Sequence, residues 1–220
     1  LRAGLERVGV HYLQLQAPTG IDGTYDQIEQ VGIMTGHEDE ARDVVGKVRG
    51  QIADAVDTAG DAGKGLTYYH ELDPTNYTVT GESFIGQVYS LFGLENIADA
   101  AEGSSAYPQL QAEYVVSANP DLIFLADTEC CGATVESVSE RPGWSQVNAV
   151  EDGRIYSLNA DVTSRWGPRI GDLAERIAAI LTDGGGGGQD GADASAPESS
   201  AAAPVPAAPA GSAPAGQPGR

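Results

Sequence analysis

The sequence is poor in lysine, cysteine and aromatic residues, and its charge is mostly of one sign. Its 220 residues include two cysteines, and aromatic residues make up 6% of the chain. Lysine and arginine together number 12 against 32 aspartates and glutamates, which gives a formal net charge of -20. Nucleic acids and anionic membranes bind basic patches, so this composition argues against both as partners. We interpret the acidity as a means of staying soluble.

No segment is apolar for long enough to cross a bilayer, and there is no initiator methionine and no signal peptide. Leu1 falls inside a run that already has a helical pattern, LRAGLERVGV. We therefore expect the chain to be a piece of a longer protein, in which any export signal would lie upstream.

Strand-like and helix-like segments alternate along the chain and predict an α/β fold. The segment His11–Gln16 alternates as a strand does. A helical pattern runs from Asp22 to about Val56, and its interruption at Gly36 predicts two helices or one broken helix. Further strands are predicted in LTYYHEL, LIFLA and GRIYSLN, and further helices in SFIGQVYSLFG, AEYVVSANP, ATVESVSE and GPRIGDLAERIAAIL. LIFLA is wholly apolar, which is typical of a parallel sheet covered on both faces.

The composition changes at Asp183. Residues 183–220 are rich in glycine, alanine and proline, with no aromatic residue and no aliphatic side chain larger than valine. Burial in such a segment cannot offset the entropy lost on ordering, so we predict a disordered C-terminal tail. We interpret it as a surface linker, either to a further domain or to the cell envelope.

Four pieces of the chain resemble, in order and at family spacing, the C-terminal lobe of class III substrate-binding proteins. That family serves ABC importers for cobalamin, iron–siderophores and haem. The pieces are YYHELDPTNYTVTGESFIGQVYSLFGLENIA, YPQLQAEYVVSANPDLIFLAD, RPGWSQVNAVEDGRIYSLNADV and SRWGPRIGDLAERI. Upstream, LERVGVHYLQLQAPTGIDGTYDQIEQVGIMTGHEDEARDVV is similar to the end of the N-terminal lobe and the long inter-lobe helix.

The resemblance implies a C-terminal lobe with a parallel or mixed sheet covered by helices, joined to a long inter-lobe helix. Residues 1–21 would be a remnant of the N-terminal lobe, 22–58 the inter-lobe helix, 59–182 the ligand-binding lobe and 183–220 the tail. Because this family binds its ligand between two lobes, half of the binding surface would lie outside this chain.

The resemblance also implies ligand contacts from three loops at the inter-lobe cleft. Tyr107 would pack against the ligand, and free N–H groups of the helix that follows Thr80, Gly81, Glu82 and Ser83 would suit an anionic ligand edge. Arg165 would pair with ligand oxygens, and Trp166 would stack on a flat ligand. Two alternatives stay open, since Ser83 also suits an ordinary helix N-cap and Trp166 also suits loop packing. Trp144 is interpreted as structural.

Glu113 lies at the start of the helix AEYVVSANP. In the family that this chain resembles, each lobe carries an exposed glutamate that docks into arginines of the membrane permease, and Glu113 would be the C-terminal member. The alternative is a carboxylate stabilised only by the helix dipole, which is worth about 0.3–1 kcal/mol.

The adjacent cysteines Cys130 and Cys131 follow the LIFLA strand, so we expect them at the rim of the cleft. We considered a metal site, free thiols and a vicinal disulfide. A metal site is disfavoured because there is no further cysteine and the three histidines are far apart in the sequence. Adjacent Cα atoms lie about 3.8 Å apart, below the usual disulfide range of about 4.4–6.8 Å. We favour the disulfide nevertheless, since an exported protein meets oxidising conditions.

These observations predict a binding protein that is not an enzyme and has no resident cofactor. The expected function is the extracytoplasmic solute-binding component of an ABC importer, with a corrinoid, ferric siderophore or haem as ligand. The expected partners are the small-molecule ligand and the ABC permease subunits, with no nucleic acid, and the protein would be a monomer. Two alternatives remain, a thiol–disulfide redox protein that uses Cys130 and Cys131, and an adhesion or sensor module.

Overall fold

A computed structural model describes residues 2–101, 105–163 and 166–183. The helices in these ranges are α1 Arg2–Arg7, α2 Ile21–Thr35, α3 Glu38–Ala59, α4 Phe84–Ser90, α5 Ala112–Ala118, α6 Thr128–Cys131, α7 Val135–Ser139, α8 Asn148–Glu151, α9 Ala160–Thr163 and α10 Ile170–Thr182. The strands are β1 Thr67–Glu71, β2 Glu95–Asn96, β3 Leu122–Leu125 and β4 Ile155–Ser157. Short 3₁₀ helices span Ile97–Ala100 and Trp144–Gln146.

The strands form one parallel sheet in the order β2-β1-β3-β4. In the centre, Tyr68 pairs with Leu122, and Ile123 pairs with Ile155. All four residues of β3 are buried, as its unbroken apolar sequence predicts for a strand covered on both faces. The predicted α/β class and the parallel sheet are confirmed.

Two apolar layers cover the sheet. One contains Tyr68, Phe124 and Tyr156 from the strands, packed against α3, α4 and α10. The other contains Tyr69, Ile123 and Leu125, packed against Val115 of α5, Val138 of α7 and the fully buried Trp144. Trp144 therefore has the structural position that the sequence predicts.

The helical pattern between Asp22 and Val56 resolves into two helices, α2 and α3. Gly36 ends α2 in the left-handed conformation with φ 76°, which a residue without a side chain adopts at no steric cost. A Cβ on Gly32 would overlap the side chain of Ala41, so the helices approach closely because this position is glycine. The predicted interruption at Gly36 is confirmed.

One predicted strand is wrong. The segment His11–Gln16 has no regular secondary structure, although its side chains alternate as a strand's would. No described strand lies beside it, and an extended segment without a neighbour has no partners for its backbone groups. The predicted disordered tail lies outside the described residues, apart from Asp183. Within the described ranges, no helix combines the length and the apolar character that a membrane crossing needs.

Candidate functional site

Four chain segments begin at the edge of the sheet where the strands have their carboxyl ends, which we call the strand-end edge. Segments 72–83, 97–111, 126–134 and 158–169 follow β1, β2, β3 and β4 respectively. Because all strands are parallel, these segments start at the same edge. They contain Thr80–Ser83, Tyr107, Cys130, Cys131 and Trp166. Arg165 belongs to the same stretch of sequence but lies outside the described residues.

The first two segments are joined by hydrogen bonds. The Thr80 amide donates to the Ala106 carbonyl at 3.0 Å, and the Gly81 amide donates to Asp99 Oδ1 at 2.7 Å. A Cβ on Gly81 would lie 2.6 Å from Asp99 Oδ2, so a side chain at this position would require the Asp99 carboxylate to shift. The bonds hold the chain before α4 beside the segment that carries Tyr107.

Ser83 caps α4. Its Oγ accepts a hydrogen bond from the Gly86 amide at 2.9 Å and donates one to the Thr80 carbonyl at 2.7 Å. Ser83 is only 3% exposed, whereas Glu82 is exposed. Ser83 is therefore an N-cap, which was one of the alternatives that the sequence left open. Ligand contact by the Thr80–Ser83 segment stays a prediction.

Three aromatic side chains are exposed in the strand-end segments. Tyr107 is 49% exposed, Trp166 44% and Tyr77 42%. Tyr77 was missed by the sequence analysis, although an aromatic residue in a polar loop after a strand is a usable signal. Its position is fixed by an antiparallel bridge to Gln109. Exposed rings with one free face are suited to packing against a flat, apolar ligand.

The cysteine segment, Asp127–Gly132, forms a short helical turn after β3. The Cys131 amide donates to the Asp127 carbonyl at 3.0 Å, and Gly132 ends the turn at φ 70°. Both cysteines are exposed, and their sulfur atoms are bonded to each other. Asn159, after β4, donates to Glu129 Oε1 at 2.8 Å and so connects the segments that follow β3 and β4.

An ion pair that the sequence did not predict lies beneath this edge. Both terminal nitrogens of Arg141 donate to the Glu71 carboxylate, at 2.5 and 2.6 Å. Glu71 is fully buried, and the Arg141 side chain is 20% exposed and lies over the Trp144 ring at 4.7 Å. Glu71 ends an otherwise uncharged strand, but the pairing joins residues 70 positions apart. Glu71 alone was therefore visible as unusual in the sequence.

Asp127 lies next to this pair and is fully buried. Neither of its carboxyl oxygens has a hydrogen-bond donor among the described residues. Burial, which is the largest cause, and the neighbouring Glu71 carboxylate together raise the pKa of Asp127 to about 7. The sequence offered no signal for this, since an aspartate after a strand is ordinary.

Glu113 is exposed in the first turn of α5. α5 returns the chain to the start of β3, so its first turn lies on the side of the strand-end edge. The position suits a contact with another protein at this edge, and permease docking stays a prediction.

A cavity of about 660 Å³ lies away from the predicted site, between the N terminus of α2 and α4. Arg49 stacks on Tyr25 there at 4.2 Å, and Gln87 donates to the Thr19 carbonyl at 2.7 Å. It contains none of the predicted site residues, and we assign no ligand to it. Within the described ranges, there is no cluster of three or more His, Cys, Asp or Glu side chains that could hold a metal ion.

Known proteins with related sequences cover most of this chain. The periplasmic binding protein family matches residues 5–162. An uncharacterized ABC transporter substrate-binding lipoprotein of Bacillus subtilis (strain 168), YvrC, is 28% identical over 181 residues, which are 80% of this chain and 55% of that protein. A cobalamin-binding protein of Halobacterium salinarum (strain ATCC 29341 / DSM 671 / R1) is 28% identical over 178 residues, 79% of this chain and 48% of that protein. The chain thus spans about half the length of the curated relatives it matches.

Solved structures share the fold. The periplasmic heme-binding protein RhuT from Roseiflexus sp. RS-1 superposes with a TM-score of 0.72 at 21% identity, over 83% of this chain and 71% of that chain. The periplasmic vitamin B12 binding protein BtuF of Vibrio cholerae superposes with a TM-score of 0.66 at 22% identity, over 83% of this chain and 69% of that chain. These neighbours share the fold, and the family match over residues 5–162, which is more than half of the chain, makes the chain a member of the periplasmic binding protein family.

Proposed function

We propose that this chain is part of the extracytoplasmic solute-binding component of an ABC importer, which binds a corrinoid or chelated iron and delivers it to a membrane permease. The observation that supports the proposal is the strand-end edge of a periplasmic binding protein, where the segments that follow the strands carry the predicted site residues and three exposed aromatic rings. Such an edge is where open parallel sheets bind ligands.

The aromatic rings favour a ligand with a large flat surface. Tyr77, Tyr107 and Trp166 offer stacking faces, whereas the described residues of the edge supply little positive charge. Relatives named as cobalamin-binding and vitamin B12-binding proteins, and a structural neighbour named as heme-binding, bind ligands of this shape. We put corrinoids first, because an acidic chain disfavours ligands that carry many carboxylates, such as ferric citrate.

The other predicted site residues are assigned to contacts with the ligand or with the permease. We propose that Thr80, Gly81 and Glu82 contact the ligand, that Ser83 acts through its helix cap, and that Glu113 docks into the permease. The protein would act as a monomer without enzymatic turnover, and the domain boundaries at residues 21, 58 and 182 belong to this proposal as well.

The test is a panel of cyanocobalamin, haem and a ferric hydroxamate, titrated by calorimetry and thermal shift into the complete two-lobed protein of which this chain is expected to be a piece. We expect one of them to bind, and Tyr107→Ala and Trp166→Ala to weaken binding by about 3–10-fold each, since a stacked ring is worth about 0.5–1.5 kcal/mol. Ile33→Ala, which removes a 61% exposed apolar side chain on α2, is the control and should leave affinity unchanged. A panel without any binder would overturn the proposal.

A thiol-exchange assay separates binding from redox catalysis. We expect no steady-state turnover of a small disulfide substrate. Turnover that Cys131→Ser abolishes would favour the redox function instead.

A further inference from the structure

Three buried or half-buried charged groups join separate parts of the strand-end edge. Glu71 ends β1, Asp127 begins the cysteine segment after β3, and Arg141 lies in the loop after α7. Glu71 and Asp127 are both fully buried. The ligand contacts and docking residue proposed above do not use any of the three.

The charges in this group do not balance if both carboxyls are ionised. Arg141 gives both of its terminal nitrogens to Glu71. Asp127 is left without a donor for either oxygen among the described residues. A buried carboxylate without a donor is strongly unfavourable. Glu71, as an ionised carboxylate, is itself only an acceptor, so the two carboxyls form a hydrogen bond only if one carries a proton.

None of the described groups that face Asp127 donates a hydrogen bond to its carboxylate. From β1 come Glu71 and the buried Tyr69 hydroxyl, which forms no hydrogen bond among the described residues, and from the loop after α7 comes Arg141. On its own segment the nearest charge, Glu129, is exposed and accepts a bond from Asn159. His70 points to the opposite face of the sheet, because successive side chains of a strand alternate.

We propose that Asp127 holds a proton in the folded protein, shares it with Glu71, and thereby positions the cysteine segment as a pH-dependent part of the cleft edge. Asp127 also begins the turn that contains both cysteines, since its carbonyl accepts from the Cys131 amide at 3.0 Å. When Asp127 loses its proton, two carboxylates compete for one guanidinium. The segment then moves outward until water reaches the Asp127 carboxylate.

The shared proton does not depend on what the protein binds. Only its consequence for the ligand rests on the proposed function, because the cysteine segment lies at the proposed cleft edge. Direct titration of Asp127 therefore tests this inference even if no ligand of the panel binds.

The first measurement is a carbon-13 NMR titration of the Asp127 carboxyl, with the signal assigned through the backbone. We expect a midpoint near neutral pH, well above the ordinary value of about 3.9. A midpoint below pH 5 would overturn the proposal. This measurement needs only the wild-type chain, so it decides the question even if variants fail to fold.

The second measurement is hydrogen exchange of the Cys131 amide at pH 5 and pH 8.5, corrected for the intrinsic exchange rate. We expect protection to fall at least 10-fold at the higher pH in the wild type. Asp127→Asn, which is neutral and can donate to Glu71 at both values, should keep equal protection. Glu129→Gln, in the same segment but exposed, should behave as the wild type does. Equal protection of the wild type at both pH values would refute the pH-dependent positioning.

Discussion

Two adjacent residues of β1, His70 and Glu71, are fully buried on opposite faces of the sheet, and each face deals with its titratable group differently. His70 gives up its charge. Its Nδ1 lies 2.9 Å from the Tyr89 hydroxyl, and burial lowers the pKa of His70 to about 3. Glu71 keeps its charge, because Arg141 pairs with both of its oxygens. Burial therefore removes charge where no ion of opposite sign is in reach.

The two faces should depend on pH in opposite directions. The folded-state pKa of His70 lies below its unfolded value of 6.5, so its contribution to stability is present above pH 6.5 and is lost as pH falls toward 3. The folded-state pKa of Asp127 lies above its unfolded value of 3.8, so its contribution is present below pH 3.8 and is lost as pH rises through about 7. Between about pH 4 and 7, the contributions of His70 and Asp127 to stability therefore change with pH in opposite directions.

The largest expected effect is that of removing the counter-ion on the Glu71 face. Arg141→Ala should lower the free energy of unfolding by about 3–5 kcal/mol, because it leaves a buried carboxylate unpaired. Urea denaturation at pH 7 measures this. Arg42→Ala is the matched control, since Arg42 is 61% exposed in its ion pairs on α3 and should change stability by about 0–1 kcal/mol. Equal effects of both variants would mean that the Glu71–Arg141 pair does not carry the buried charge.

The prediction for His70 is tested by replacing it with asparagine, whose side chain can keep the hydrogen bond to Tyr89 but cannot be charged. The wild type should lose about 3 kcal/mol of stability between pH 7 and pH 4 from His70 alone, given its lowered pKa. His70→Asn should not show this part of the stability loss between pH 7 and pH 4. His37→Asn serves as the control, because the His37 side chain is 66% exposed and should leave the acid loss unchanged. An acid loss of wild-type size in His70→Asn would contradict the comparison.

A smaller effect is expected at Ser83, where the strand-end edge meets α4. Ser83→Ala should cost about 1 kcal/mol, the usual value of a lost N-cap. Because Ser83 is 3% exposed, its replacement should change ligand affinity by less than about 3-fold. Glu82→Ala, at the exposed neighbouring position, should leave stability within about 0.5 kcal/mol. A large loss of affinity in Ser83→Ala would show that the hydroxyl contacts the ligand as well.

The sequence predicted the elements whose signals are local. The apolar run of β3, the interruption at Gly36 and the helix predicted in GPRIGDLAERIAAIL each depend on residues within one segment, and each appears in the structure. The alternation of His11–Gln16 is equally local, but a strand also needs a neighbour, and no described strand supplies one. Local patterns therefore indicate what a segment prefers, and the surrounding chain decides whether the preference is satisfied.

The site was predicted in part for a similar reason. Its three ligand-contact loops were implied by the family resemblance, and the cysteine pair was predicted from its position after a strand, since the parallel sheet brings the ends of all strands to one edge. The polar group beneath that edge was missed because Glu71, Asp127 and Arg141 are distant in sequence and meet only through the order β1-β3 and the loop after α7. No periodicity or spacing connects them.

The smallest effect on stability, and the sharpest test of function, is expected at Glu113. This carboxylate is exposed in the first turn of α5, so Glu113→Ala should change the free energy of unfolding by no more than about 1 kcal/mol. Glu136 is the matched control, since it is also exposed and lies in the first turn of α7. Both variants remove one of 32 acidic residues, so any effect of overall charge is the same in both.

If Glu113 forms a specific ion pair with a permease arginine, its loss should act out of proportion to that charge. A hydrogen-bonded pair that docking buries costs about 2–5 kcal/mol when one partner is removed, whereas an exposed pair is worth about 0–1 kcal/mol. Uptake of the bound ligand by cells that produce each variant measures the difference. We expect unchanged ligand affinity in both variants, impaired uptake with Glu113→Ala and near-normal uptake with Glu136→Ala. Equal uptake by both would reduce Glu113 to a carboxylate that merely stabilises the start of its helix.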